Sequence, residues 1–264
     1  VSDIDEATSE EAAEKIRRDG GAATAVPGDC ADADYAAAAV ARADEVGEGL
    51  VALVNNAGIV RDRTLLKMSE SEWDAVIRVH LRGHFTMTQA ACRSFRERQV
   101  PGRIVCTSST SGLMGKFGQS NYGAAKSGVA SFAQIVAWEM ARYGIRCNAI
   151  VPTARTPMTE GALGDFDSPD GGWDFWAPEN VASLVAYLCL EQSDGISGKV
   201  FGIQGDLVEV YQPWTSIAAR DNGGARFSVE DLAHVVPDLL TSVEMPLNAT
   251  DQMERVRIRP GSGA

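Results

Sequence analysis

Short apolar, β-rich runs alternate with longer helix-patterned stretches along this chain, and that alternation is the constraint from which its fold follows. Leu50-Val51-Ala52-Leu53-Val54 is an unbroken apolar run, the pattern of a strand buried on both faces of a parallel sheet. Ala22 to Val26, Arg103 to Thr107, Ile145 to Ile150 and Lys199 to Ile203 read as further strands. Between them lie helical patterns. One opens at Ser9-Glu10-Glu11 and stops at Gly20-Gly21, and an alanine-rich one runs from Asp32 to Val46. Two long ones cover about Glu70 to Arg98 and Gly118 to Tyr143, and another covers residues 178–191. Parallel neighbours need crossover connections, so this order predicts an α/β fold, a doubly wound parallel sheet with helices on both faces.

Bulk properties narrow the function classes. The chain has 264 residues, enough for one α/β domain of sizeable core. A net charge of −12 speaks against nucleic acid as partner, since nothing offers to displace counterions from a phosphate backbone. No apolar run approaches the roughly 18 residues of a membrane span, and the acidic start Val1-Ser2-Asp3-Ile4-Asp5 is unlike a secretory signal. The five cysteines are scattered, without a C-x-x-C pair, which suits reduced thiols in the cytoplasm. Asp165 to Trp173, rich in Gly, Asp and Pro, reads as a loop long enough for a mobile lid, and Pro260 to Ala264 as a disordered end.

Chemistry concentrates between Gly102 and Lys126, in GRIVCTSSTSGLMGKFGQSNYGAAK. Tyr122 and Lys126 stand four apart at the start of a helix, so both project from one face. A tyrosine is a poor base at neutral pH, and a neighbouring ammonium together with the positive end of the helix favours its phenolate. Tyr122 then exchanges a proton with an alcohol or carbonyl, while Ser109, just past a strand end, hydrogen-bonds the same oxygen. A Tyr/Lys pair at this spacing is by itself more often an ordinary surface pair. What changes the balance is the preceding Ser-Ser strand end, together with Asn55-Asn56-Ala57-Gly58 directly after the buried run at Leu50. Small residues and amides at a strand's carboxyl end let a ligand approach closely.

Together these three elements resemble the short-chain dehydrogenase/reductase family, whose fold is Rossmann-like; the resemblance runs from about Val1 to Gly205. It implies NAD(P)-dependent interconversion of a secondary alcohol and a ketone, a small-molecule substrate. By resemblance Tyr122 is the general acid/base, Lys126 binds the nicotinamide ribose and lowers the tyrosine pKa, and Ser109 orients the substrate oxygen. Asn56, Ala57 and Gly58 line the cofactor cleft, and Asp29-Cys30 matches the pair that contacts the adenine. Asp3 falls where an acidic side chain accepts from a ribose 2′-hydroxyl and repels a 2′-phosphate, favouring NAD over NADP; Asp5 is its near rival. Pro152-Thr153-Ala154-Arg155-Thr156 matches the segment that meets the nicotinamide carboxamide through Pro152, Arg155 and Thr156, with Thr153 replacing the usual glycine.

His80 stands where most of the family has an asparagine that helps hold a proton-relay water, and one of its ring nitrogens can serve that role. Its context, with Arg61-Asp62-Arg63 and V-H-L-R-G, resembles the branch of peroxisomal multifunctional enzyme type 2 and related acyl-CoA and steroid dehydrogenases. That branch implies a 3-hydroxyacyl thioester or steroid-like substrate. His80 and His84 also have the i, i+4 spacing of a zinc pair, but Leu81 stands where a metalloprotease has its glutamate, so no metal is expected. The long helices match those of the family's dimer interface, which implies a homodimer or homotetramer.

The family's opening strand and Gly-rich turn, which hold the pyrophosphate, have no counterpart here. The first residues read as the end of the second strand, and about 30 residues of strand, loop and helix are expected upstream. With the first βα unit absent, the sheet's second and fourth strands lack their shared neighbour, and the chain alone is expected to bind NAD weakly. A non-catalytic binding or scaffold protein on a decayed dehydrogenase fold is the competing reading; a sugar-nucleotide epimerase fits N-N-A-G poorly. The expected organisation is an incomplete dehydrogenase domain over 1–205 and an extension over 206–264. Within the extension, Ser228-Val229-Glu230-Asp231 caps an amphipathic helix.

Overall fold

The apolar runs become the strands of one sheet. The computed structural model describes residues 1–156, 158–159, 173–212 and 214–241. Among these, β1 (Ala52–Asn55), β2 (Gly102–Thr107), β3 (Ile145–Thr153), β4 (Val200–Gln204) and β5 (Leu207–Tyr211) lie in spatial order β1-β2-β3-β4-β5. The first four pair in parallel; β5 returns antiparallel along β4. Successive side chains of β2 point to opposite faces, and both faces are covered. Ile104 and Cys106 meet Phe95, Val129 and Ala133 on one side, while Val105 meets Ile150, Leu184, Leu188 and Ile203 on the other. Gly102 is glycine because a Cβ there would lie 2.2 Å from the ring of Phe95. That ring is fully buried, a contribution of about 1.5–3 kcal/mol.

The helices are α1 (Glu6–Arg18), α2 (Ala33–Asp44), α3 (Glu70–Ile77), α4 (Gly83–Arg98), α5 (Thr110–Met114), α6 (Ser120–Met140), α7 (Pro178–Cys189) and α8 (Val229–Thr241). Helix α1 starts earlier than expected, because the Asp5 carboxylate accepts from the Thr8 amide at 2.7 Å and caps it there, while Ser9 lies inside. The long helix anticipated over Glu70 to Arg98 is present, and a π-helical turn (Arg78–Arg82) joins α3 to α4 within it. Ser69 and Glu72 form a reciprocal capping box at its start. Ser228 and Asp231 exchange hydrogen bonds of 2.9 and 3.0 Å at the start of α8, as their spacing suggested.

Three expectations need correction. Residues 22–26 are extended but not a strand. Their backbone meets the first residues at two points, the Val26 N–H donating to the Val1 carbonyl and the Val1 ammonium to the Thr24 carbonyl, each at 2.8 Å, while Arg17 and Tyr35 side chains take the Ala23 and Val26 carbonyls, too few backbone bonds for a ladder. Strand β1 is not buried on both faces, for Val54 is 42% exposed, as is Val51 just before the strand at 51%. Among the described residues β1 pairs only with β2. Finally, the compact unit is Val1–Tyr211 rather than 1–205, because Leu207–Tyr211 adds a strand to the sheet; the remainder, Gln212–Ala264, forms a separate unit. The anticipated lid lies outside the described residues except for Trp173, and so does the 260–264 end. No helix among the described residues is long and apolar enough to cross a membrane.

Candidate active site

Strand β2 ends beside α6, and two serines after it build the junction. The Ser108 amide donates to the Ile150 carbonyl at 2.7 Å, and its hydroxyl to the Lys126 carbonyl at 2.7 Å. Ser109 is extended and caps α5, its Oγ accepting from the Ser111 amide at 3.2 Å. The same side chain lies near enough to the Tyr122 phenol to favour its ionised form. One helical turn beyond Tyr122, Lys126 is 2% exposed. Its Nζ donates to the Thr107 carbonyl at 2.6 Å and lies 5.5 Å from the centre of the Tyr122 ring. Tyr122 and Lys126 thus lie together on α6 beside the carboxyl end of β2, with Ser109 close by.

The electrostatics of these groups differ from expectation. Burial pushes the Tyr122 phenol above its ordinary value, opposed by the nearby Ser109 hydroxyl and reinforced by the charge of Asp62. Lys126 does not lower it; burial pulls the ammonium itself down to about 7. Both groups sit in the same desolvated pocket, and loss of water outweighs their attraction.

His80 is held by the π turn with its ring fully buried. Nε2 lies 2.7 Å from the Ile59 carbonyl and 3.1 Å from the Ile59 amide; the shorter contact assigns the proton to Nε2. Nδ1 is then an acceptor, buried without a hydrogen-bond partner among the described residues. The ring stands edge-on to Tyr122 at 5.1 Å, and burial lowers its pKa to about 4, so it is neutral and steadies the phenol. His84 is spoken for at both nitrogens: Nδ1 donates to the His80 carbonyl at 2.6 Å, and Nε2 accepts from the Thr107 amide at 3.3 Å. A metal bound by this pair would have to displace both bonds.

The residues expected to meet the cofactor are spread over several segments. Asn56 and Ala57 are exposed just past β1, and Asn56 Oδ1 accepts from the Thr107 hydroxyl at 3.0 Å. Gly58 packs on His80, where a Cβ would come within 2.4 Å of the ring. Asp29 accepts from the Ala31 amide at 2.9 Å and pairs with Arg78; these partners hold its carboxyl below the usual range despite opposing desolvation. Cys30 lies against Val79 and Gly83, its thiol raised by burial. Asp3 lies beside Gly28 with Oδ1 accepting from the Asp5 amide at 2.9 Å, while its rival Asp5 is committed to capping α1. Pro152 and Thr153 continue β3, paired with Ile203 and Gln204, so threonine is accommodated as ordinary strand. Arg155 pairs with Asp174 at 3.0 Å, and the Thr156 amide donates to the Thr159 hydroxyl at 2.8 Å.

Sequence reasoning passed over Thr107, whose carbonyl holds Lys126 and whose hydroxyl holds Asn56; its place directly before Ser108-Ser109 was the available signal. It also passed over Asp62 and Gln119, which the isolated bridge between Arg63 and Gln119 brings together.

The donor set suits a nicotinamide dinucleotide at its two nucleoside ends. Among the described residues the buried Lys126 amine has one acceptor, the Thr107 carbonyl, which leaves N–H bonds for ribose hydroxyls, and Asp3 offers a carboxylate beside the 28–30 turn. Among the described residues no Gly-rich turn leads from a strand into a helix N-terminus.

A family model described as short chain dehydrogenase matches residues 1–164. The chain is 38% identical over 246 residues to the hydroxyacyl-CoA dehydrogenase ChsB1 of Mycobacterium tuberculosis, covering 89% of this chain and 77% of that protein. A crystal structure of a short chain dehydrogenase from Mycobacterium avium superposes with TM-score 0.81 at 42% identity, covering 90% of this chain and 80% of that one. Full-length peroxisomal multifunctional enzyme type 2 from Drosophila melanogaster gives TM-score 0.71 at 31% identity; this chain covers only 43% of it, with 94% of its own length.

Proposed function

The chain belongs to the short-chain dehydrogenase family, an oxidoreductase family that uses NAD(P), and from that membership we propose that it interconverts a secondary alcohol and a ketone with NAD. The observation that carries the reading is the grouping of Ser109, Tyr122 and Lys126 beside the carboxyl end of β2. When bound, a nicotinamide dinucleotide supplies hydride exchange with the carbon that bears the reacting oxygen. The protein's own task is the proton. Ser109 and Tyr122 hold the substrate oxygen between two hydroxyls. In ketone reduction the phenol gives its proton to that oxygen; in oxidation the phenolate takes it back. Because burial keeps the phenol protonated at neutral pH, the site as built donates, and alcohol oxidation quickens as the pH rises. Lys126, anchored on Thr107, is placed to hold ribose hydroxyls. The carboxylate of Asp3 supports NAD over NADP.

The name of the Mycobacterium tuberculosis relative supports a 3-hydroxyacyl thioester as substrate, with a steroid-like alcohol as the other candidate. We place the enzyme in the cytoplasm, as its unpaired cysteines suit, and as an oligomer. The test is Tyr122→Phe in the full-length protein, assayed by reduced-cofactor absorbance with a 3-hydroxyacyl-CoA. Turnover should fall by about 10²-fold or more with circular dichroism unchanged. Retained turnover overturns the assignment, and faster turnover with NADP than with NAD overturns the cofactor preference.

A further inference from the structure

The π-helical turn that carries His80 also reaches, with its other side chains, the segment that follows Gly28. Arg78 pairs with the Asp29 carboxylate, and Arg82 Nε donates to the Ala31 carbonyl at 2.9 Å. The Thr86 hydroxyl, one turn further on, donates to the Cys30 carbonyl, and the Cys30 thiol lies 3.9 Å from the Val79 carbonyl. Residues 24–28 run beside the first residues in the same direction, with the Gly28 amide on the Asp3 carbonyl. Asp3 and Asp29 therefore lie at the carboxyl ends of neighbouring parallel segments, where ligands of open α/β folds bind. Among these ties Arg78 alone grips a charged side chain. Asp29 Oδ1 accepts from the Ala31 amide at 2.9 Å, and Oδ2 accepts from Arg78. With each oxygen anchored the carboxylate plane is fixed, while acceptor capacity is left on both for a ligand's donor. The pair joins residues 49 apart in sequence, with side chains 48% and 27% exposed. An ion pair so open to water adds little to stability, so holding the fold together does not account for it.

We propose that Arg78 is a positioning residue for the cofactor: it holds the Asp29 carboxylate in an orientation that accepts from the exocyclic amino group of adenine, and so sets the preference for that base. This rests on the reading of the chain as NAD-dependent. A carboxylate accepts and cannot donate, so it favours a base edge that offers an N–H and opposes one that offers a carbonyl. Hypoxanthine presents a carbonyl where adenine presents its amino group. A carboxylate free to turn would lose rotational freedom when the base arrives and could swing away from a base it opposes. One anchored on both oxygens does neither, which makes affinity and selectivity depend on the anchor.

The test is calorimetric binding, to the full-length protein, of NAD and of its analogue with hypoxanthine in place of adenine, so that no turnover is needed. The wild type should bind NAD the more tightly, by about tenfold or more. In Arg78→Met that ratio should fall to about twofold or less, through weaker NAD binding. Circular dichroism should be unchanged, because Arg82 and Thr86 still hold the turn. A ratio that stays at the wild-type value overturns the proposal, since loosened structure alone would weaken both ligands alike. Arg78→Gln, which removes the charge and shortens the reach, gives the same reading should the methionine variant fail to fold. Asp29→Asn closes a double-mutant cycle. If Arg78 works through Asp29, adding Arg78→Met to Asp29→Asn should shift NAD affinity by less than about twofold; a full additional loss overturns the proposal. In turnover Arg78→Met should raise KM for NAD by more than it lowers kcat. The reverse split would place the effect at Tyr122, through the π turn, and counts against a role at the base. Should the wild type bind neither dinucleotide, the NAD-dependent reading itself fails; wild-type binding of both with equal affinity sinks only the role of Arg78.

Discussion

When protonated, Lys126 carries a positive charge into a pocket that gives it, among the described residues, one carbonyl and no carboxylate. Its folded pKa of about 7 lies below the ordinary 10.5, so between those values the unfolded chain holds a proton that the folded one has released. Stability therefore rises with pH across that window, and below about pH 7 the full penalty of burying the ammonium is present. Lys126→Met keeps the shape without the charge, and its Tm at pH 7 should exceed that of the wild type by about 5 °C or more. The advantage should shrink as the pH approaches 10.5; a constant or absent difference in thermal melts across pH would contradict this account. The identities of Ser109, Tyr122 and Lys126 were legible because spacing on a helix and position after a strand are local properties. Their charge balance was not. Desolvation depends on what the rest of the fold places over each group, and here it reverses the acidic phenol that the bare Tyr/Lys pair suggests.

At the scale of elements the π turn between α3 and α4 does the joining. Arg78 at its start pairs with Asp29, His80 at its middle bonds Ile59, and Arg82 at its end donates to the Ala31 carbonyl at 2.9 Å. One irregular turn thus fixes both the 29–31 segment and the loop after β1, the two places expected to meet the cofactor. Such insertions are known for accompanying functional sites. Apolar periodicity showed one long helix over residues 70–98 but not the turn, because a single extra residue barely disturbs that pattern. Strand β5 was readable and passed over: Gly205-Asp206 followed by the alternation of Leu207-Val208-Glu209-Val210-Tyr211 is a hairpin signal. The 22–26 segment, Ala22-Ala23-Thr24-Ala25-Val26, misled because a short apolar run says nothing of how many partners it will find. Gly58 tests the junction. A methyl there would press within 2.4 Å of His80 Cε1, and the ring cannot yield while it bonds Ile59 and abuts Tyr122. Gly58→Ala should lose about 1–3 kcal/mol in urea unfolding, and turnover should fall with it. An unchanged midpoint would mean that the turn is softer than its contacts imply.

For the molecule as a whole, the net charge of −12 sets what association has to overcome. Two copies repel at long range, so any stable pairing has to come from apolar area that water leaves exposed in one copy. Helix α6 presents such area, with Ile135 and Trp138 48% and 76% exposed and three residues apart, on one side of the helix. Phe85 of α4 is 45% exposed as well. Large apolar side chains gathered into one exposed patch mark interaction surfaces, and these two helices are the ones from which the sequence implied an oligomer. If copies pair through this face, Trp138→Arg adds a charge that must be desolvated at its centre, and light scattering behind gel filtration should report a smaller assembly than the wild type at equal concentration. The wild-type assembly should also tighten with added salt, since screening removes repulsion between like-charged copies while leaving apolar burial in place. The two measurements discriminate as a pair. An assembly loosened by salt would mean that ion pairs rather than apolar contacts hold it. One unaffected by Trp138→Arg would move the interface away from α6, leaving that exposed tryptophan unaccounted for by association between copies.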